Sequence, residues 1–160
     1  MASSLLKRAK EDPFWAVRRD ALYILGGYRG VIQMDLDRGN IPWARLNAGF
    51  KPGGPFNDEI RDVFKEKAND ENSKVRAAAL WALGNLKKRT LVPFFEDRFL
   101  KEDSYRAQAA ALVAIGKCGN LSSVPFLKKA GKIKSPKNLE DGYKTGIVKR
   151  AADWALKNLQ

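Results

Sequence analysis

The sequence VRAAALWALG, residues 75–84, decides the fold. It is rich in alanine and places its apolar residues at helical spacing, which predicts an α-helix that packs closely against its neighbours. Three other stretches align with it from their first residue: VRRDALYILG at 17–26, AQAAALVAIG at 107–116 and VKRAADWAL at 148–156. Repetition of one helical pattern along a chain predicts a stack of similar helical units.

The spacing of the copies indicates that each unit has two helices. A distance of 32 residues separates Val75 from Ala107, and the same distance separates Pro93 from Pro125. Proline suits the first turn of a helix, because the N–H that it lacks has no partner there. The sequence therefore predicts helical hairpins, in which both helices repeat with one period.

Hydrophobic periodicity within the copies explains why these hairpins should stack. Counted from the first aligned residue, small or apolar residues recur at 0, +3 or +4, +7, +8 and +11. A single hairpin cannot bury this face alone, so neighbouring hairpins share a core. We expect an all-α, right-handed solenoid of about four hairpins in a single domain over residues 1–160. A Gly- and Pro-rich insertion, residues 29–56, interrupts it after the first hairpin.

Charged residues near the helix turns add a more specific signature. Asp12 and Asp70 each lie five residues before an aligned valine, and Arg18 and Arg76 each lie one residue after it. This pattern resembles the HEAT repeat, in which an Asp at the turn and an Arg in the second helix form a ladder between units. The resemblance covers about 130 residues. The later copies depart from it, so the ladder is not expected to continue through them: they carry Glu102, Gln108, Tyr143 and Lys149.

Two segments carry a narrower resemblance. Residues 12–18 (DPFWAVR) and 102–112 (EDSYRAQAAAL) look like the C-terminal HEAT-like region of M1-family aminopeptidases. The catalytic zinc motif of that family needs histidines, which this chain lacks. The resemblance therefore implies the non-catalytic C-terminal part of such a protein, or a freestanding relative of it.

Composition argues against several kinds of active site. The 160 residues include no histidine, which excludes Ser-His-Asp and Cys-His arrangements and histidine-based zinc sites. Cys118 is the single cysteine, at a position that the repeat assigns to the core, so an internal disulfide is impossible. Residues 35–40 (DLDRGN) match only part of a calcium-binding loop. We predict that the chain is not an enzyme and binds neither a metal nor a cofactor.

Position +6 of the second helix is the candidate site for a protein or peptide partner. This position is usually polar in HEAT-like repeats, because it points away from the shared core. Stacking would align the four residues on one surface, where aromatic side chains favour protein binding. Alternatively, the insertion 29–56 folds over the row and buries it. The row consists of Tyr23, Trp81, Val113 and Trp154.

Charge supports an alternative partner. The net charge is +12, and residues 117–160 alone contribute +7, with 10 Lys and Arg against 3 Asp and Glu. A basic surface can bind nucleic acid through phosphate contacts, or it can be simply a solvated face. The candidate nucleic-acid contacts are Lys87, Lys88, Arg89, Lys128, Lys129, Lys149 and Arg150.

The sequence also bears on membrane association and on the cellular compartment. No apolar run is long enough for a membrane span, so no membrane partner is expected. The unpaired cysteine fits a reducing compartment, and we expect the cytoplasm. The sequence leaves the oligomeric state open.

Overall fold

The computed structural model describes residues 2–27, 58–133 and 146–159. These residues form eight α-helices and two short 3-10 turns, and no strand occurs within those ranges, so the predicted all-α class is confirmed. The turns span Arg89–Leu91 and Leu121–Ser123. The helices in chain order are α1 (Ala2–Glu11), α2 (Trp15–Leu25), α3 (Asp58–Lys67), α4 (Ser73–Gly84), α5 (Val92–Lys101), α6 (Tyr105–Cys118), α7 (Val124–Ala130) and α8 (Ile147–Asn158).

The helices begin where local chemistry favours a start. The side chain of Asn72 accepts a hydrogen bond from the Lys74 N–H at 2.9 Å, which satisfies a donor that the first turn of α4 leaves open. Pro93 and Pro125 lie in the first turns of α5 and α7, as their shared spacing predicts. Each of these two helices follows one of the 3-10 turns, so the equivalent connections have equivalent structures.

The helices form two layers. The four aligned stretches are α2, α4, α6 and α8, which contact one another in that order and form the inner layer. Helices α1, α3, α5 and α7 form the outer layer, and each contacts the inner helix that follows it. Leu22, Leu80 and Leu112, which occupy one position of the repeat, are fully buried between the layers. The aligned copies are therefore structurally equivalent helices.

Glycine and alanine set the close approach between consecutive inner helices. A Cβ atom added to Gly84, the last residue of α4, would lie 2.8 Å from the Cα atom of Ala114 on α6. The same contact joins Gly26 to Ala82 and Gly116 to Ala155. In each case, the glycine at position +9 of one copy faces the alanine at +7 of the next. These two small residues let the backbones approach within a distance that a larger side chain prevents.

Two predictions about single segments have different outcomes. Cys118 is buried at the end of α6, where its thiol donates a hydrogen bond to the Gly84 carbonyl oxygen at 3.3 Å, so its predicted core position is confirmed. The predicted insertion, residues 29–56, lies outside the described residues.

Candidate interaction surfaces

The predicted aromatic row lies largely inside the protein. Tyr23, Trp81 and Val113 expose only 3%, 2% and 1% of their surfaces, and Trp154 is half-buried. Three of the four residues at position +6 are therefore buried, and the exposure that a binding row needs is missing at them. A binding role for these side chains stays a prediction, and the suggested cover, the insertion 29–56, lies outside the described residues.

Contacts between repeats account for much of this burial. The Tyr23 and Trp81 rings pack edge to face, with their centroids 5.4 Å apart. A Cβ atom at Gly26 would lie 3.0 Å from the Trp81 ring, and one at Gly116 would lie 3.1 Å from the Trp154 ring. Each tryptophan thus covers the glycine at position +9 of the preceding copy. In the sequence, this contact corresponds to an aromatic residue at +6 of one copy and a glycine at +9 of the copy before it. The pairing is visible only when the two copies are compared.

An arginine–carboxylate contact joins the first two repeats. The Arg18 guanidinium donates to both carboxylate oxygens of Asp70, at 2.9 and 3.0 Å, and both side chains are buried. It also donates to the Asp12 backbone carbonyl oxygen at 2.9 Å. Arg18 therefore fixes the turn before its own helix and links that turn to the turn of the next repeat.

Arg76 makes the same contact one repeat later. Its guanidinium donates to Glu102 at 2.6 Å, to Asp103 at 2.9 Å and to the Asp70 backbone carbonyl oxygen at 3.0 Å. The expectation that the ladder fails at the third copy is wrong for Glu102, because a glutamate reaches the guanidinium as an aspartate does. Among the described residues, Gln108 keeps the contact with its own turn, a hydrogen bond from its side-chain amide to the Glu102 carbonyl oxygen at 3.1 Å.

The electrostatics of Asp70 follow from these contacts. Burial alone would raise the pKa of Asp70. Hydrogen bonds from Arg18 and from the Asn72 backbone N–H, together with the charges of Arg18 and Lys67, outweigh burial and lower the pKa below its ordinary value. Asp70 is therefore ionised at neutral pH, as its pairing with a buried guanidinium requires.

Contacts of Lys117 join three repeats at the C-terminal ends of the inner helices. The Lys117 amine donates to the Asn85 side-chain oxygen at 2.6 Å, and the Asn85 amide donates to the Gly26 carbonyl oxygen at 2.9 Å. The amine also lies 4.9 Å from the centre of the Trp81 ring. We call this chain of contacts, Lys117–Asn85–Gly26 with Trp81, the lysine clamp.

Enclosure of the amine changes its chemistry. The Lys117 side chain keeps some exposure, but its amine is desolvated, and this together with the charge of Lys87 lowers its pKa to about 7. Burial likewise raises the pKa of the Cys118 thiol to about 11, so the thiol stays protonated at neutral pH. The lysine clamp therefore holds a group that is half-protonated near neutrality beside an unreactive thiol.

The predicted basic residues divide between two edges of the protein. Helix α5 runs antiparallel to α4 and α6, because short turns join them. The loop edge holds the ends of the inner helices, residues 26–27, 85–91 and 119–123, and the turn edge holds residues 12–14, 68–72 and 102–104. Lys87, Lys88 and Arg89 are exposed on the loop edge. The remaining four are exposed at the end of α7 and the start of α8, on the turn edge: Lys128, Lys129, Lys149 and Arg150.

This division follows from the Gly–Ala contacts. Gly116 near the end of α6 meets Ala155 near the end of α8, so the two helices run in parallel. Helix α8 therefore begins at the turn edge, where α7 ends. The structure does not bring the seven basic residues into one patch, and Lys149 is paired with Asp153 at 2.7 Å.

Comparisons with known proteins agree with the repeat geometry. A family model described as HEAT repeats matches residues 60–141, slightly more than half of the chain. No curated protein matches the sequence, and nothing in the comparisons supports the narrower likeness to M1-family aminopeptidases. Within the described ranges, no helix is both long and apolar enough to cross a membrane. The same ranges hold no group of three or more Cys, Asp or Glu side chains placed to bind a metal, and residues 35–40 lie outside them.

Proposed function

The chain belongs to the HEAT-repeat family, and from that premise we propose that it is a non-catalytic scaffold that binds a protein or peptide partner. The observation that carries this proposal is the pair of arginine contacts across consecutive repeats, Arg18 with Asp70 and Arg76 with Glu102. They fix the relative positions of the turns, and a rigid array presents its exposed edges to a partner at a lower entropic cost.

Several finer features belong to the same proposal. We infer about four hairpins wound into a right-handed solenoid, with residues 1–160 forming one domain. The buried, unpaired thiol of Cys118 supports the predicted cytoplasmic setting. The likeness to the C-terminal region of M1 aminopeptidases stays a prediction from the sequence.

A non-catalytic role is supported by what the perturbed groups do. Among the described residues, the groups with shifted pKa values are Arg18, Asp70, Lys117 and Cys118. Each of them is engaged in a contact between repeats. Shifted pKa values often mark active sites, but structural pairs produce them as well. We assign these four groups to the contacts between repeats.

A peptide selection tests the scaffold role. A random-peptide phage library is panned against the folded chain and, in parallel, against the Leu80→Asp variant, which places a charge at a fully buried position. We expect the folded chain alone to enrich peptides, and the corresponding synthetic peptides to bind it in solution. Failure to enrich any peptide, or equal enrichment on the disrupted variant, would contradict the proposal.

The alternative function is binding of nucleic acid. Exposure of all seven predicted basic residues favours it. Binding through phosphates weakens steeply with salt. Titration of duplex and single-stranded oligonucleotides at two salt concentrations, with wild type and a Lys128→Glu/Lys129→Glu variant, tests it. Tight binding with a steep salt dependence that the variant reduces supports this alternative, and absence of binding at low salt rejects it.

A further inference from the structure

A groove lies on the loop edge between the two 3-10 turns. Its volume is about 310 Å³. The turn Arg89–Leu91 and the start of α5 form one side of it, and the turn Leu121–Ser123 forms the other. These connections occupy equivalent places in consecutive repeats, so the groove follows from the stacking itself. It is lined by Arg89, Val92, Pro93, Glu96, Gly119, Asn120, Ser122 and Ser123.

Positive charge is concentrated beside this groove. Lys87, Lys88 and Arg89 are consecutive and exposed, and Arg89 lines the groove. Glu96 is the single acidic residue among the lining residues given above. The groove therefore attracts a negatively charged ligand.

Apolar side chains beside the groove limit the kinds of anionic ligand that fit it. Leu121 exposes 72% of its surface in the turn that borders the groove. Val92 and Pro93 line the opposite side. A sugar–phosphate backbone offers little apolar surface to cover such a leucine, whereas a peptide can alternate acidic and apolar side chains.

We propose that the loop-edge groove binds an acidic peptide segment of a partner protein, with carboxylates on Lys88 and Arg89 and an apolar side chain against Leu121. This inference rests on the proposed scaffold function and names its class of partner. Charge complementarity draws the segment to the edge, and the exposed leucine and the groove select peptide over other anions.

The test measures fluorescence anisotropy of a labelled peptide of alternating Glu and Leu residues. A second peptide, with Gln in place of every Glu, controls for charge. We expect the Glu peptide alone to bind wild type. The Lys88→Glu/Arg89→Glu variant should weaken binding by about tenfold or more, and Leu121→Ser should weaken it severalfold. Lys128→Glu/Lys129→Glu, an identical charge change on the turn edge, should leave binding nearly unchanged.

Three results overturn the inference. Equal weakening by the two charge-reversed variants would mean that the peptide responds only to net charge. Unchanged binding in Leu121→Ser would remove the apolar contact. Displacement of the peptide by a single-stranded oligonucleotide at lower concentration would make the groove a nucleic-acid site. Circular dichroism and thermal unfolding establish that each variant is folded. Peptides from the library selection that bind elsewhere would leave the scaffold role intact while this groove failed.

Discussion

At the scale of the residue, an arginine at one position of the repeat both fixes the turn before its own helix and joins that turn to the turn of the next repeat. Arg18 and Arg76 donate to the backbone carbonyl oxygens of their own turns and to the carboxylate of the following turn. A planar guanidinium can serve two directions at once, which a lysine ammonium does less well. The sequence predicts the arginines and Asp70 directly. It did not predict Glu102, because matching by residue type overlooks that a longer carboxylate can reach the same donor.

Lys117 gives the first prediction, a dependence of stability on pH. Its pKa is about 7 in the folded protein and 10.5 ordinarily, so between these values the folded state binds fewer protons than the unfolded state. The free energy of unfolding should therefore rise as the pH rises through 7, whereas below pH 7 both states are protonated and the cost of the buried charge is fully present. The slope should stay below the limit of about 1.4 kcal/mol per pH unit for one proton, because the side chain is partly exposed.

Urea unfolding between pH 7 and pH 9 checks this. The window ends at pH 9 because the raised pKa of Cys118 has the opposite effect above it: the folded thiol keeps its proton while the unfolded one loses it. Lys117→Met should remove the slope, and Lys128→Met, an exposed lysine, should keep it. A wild-type protein whose stability falls or stays level from pH 7 to pH 9 would disprove the assignment.

At the scale of the element, the inner helices are specified by small residues at fixed positions. The sequence predicts their positions within two residues, for example 75–84 against the observed Ser73–Gly84, because helical periodicity and turn residues are local signals. Burial of the residues at +6 was one of two alternatives that the sequence left open, and there it was attributed to the insertion 29–56. The contacts of these residues with another repeat were not predicted, because they depend on the space above a glycine in another helix. Such a contact between repeats is visible only once the stacking is known.

Gly84→Ala tests the close approach of α4 and α6. Alanine favours helix over glycine by about 0.5–1 kcal/mol, so propensity alone predicts stabilisation. The new Cβ atom, however, would lie 2.8 Å from the Ala114 Cα atom, and the helices would have to separate. We expect a net loss of roughly 1–2 kcal/mol in the free energy of unfolding.

Gly146→Ala is the matched control. Apart from its neighbours in the chain, no residue that the structure describes places an atom within 4 Å of a Cβ atom built at Gly146. Its φ angle of −104° is accessible to alanine, so the change should stay within about 0.5 kcal/mol. Urea denaturation measures both variants. The close-approach account fails if Gly84→Ala is as stable as wild type or more stable.

At the scale of the whole molecule, the repeat architecture predicts that distant contacts act independently. Each inner helix contacts its immediate neighbours, so a stack gains stability as a sum over interfaces. Fold class and repeat positions were predictable from the sequence because they arise from periodicity. The division of the basic residues between two edges was not, because it depends on the direction in which each helix runs.

Gly26→Ala and Gly116→Ala test this independence. The first disturbs the contact of α2 with α4, and the second that of α6 with α8, and the two contacts share no residue. We expect their losses in the free energy of unfolding to add within about 0.5 kcal/mol in the double variant. A large departure from additivity, measured by urea denaturation, would show that the interfaces are coupled through the whole stack.

The most direct test of the account is a double-mutant cycle on Arg76 and Glu102, the contact that joins two consecutive repeats through a partly exposed arginine and a buried glutamate. The free energies of unfolding of wild type, Arg76→Ala, Glu102→Ala and the double variant are measured in urea. Each single change removes the main ionic partner of the remaining charge and leaves only a second one, Asp103 for Arg76 and Arg98 for Glu102. We therefore predict that the double variant loses less than the sum of the two, with a coupling of roughly 0.5–3 kcal/mol. If the losses of the two single variants add within about 0.3 kcal/mol in the double variant, the Arg76–Glu102 contact does not hold the repeats together.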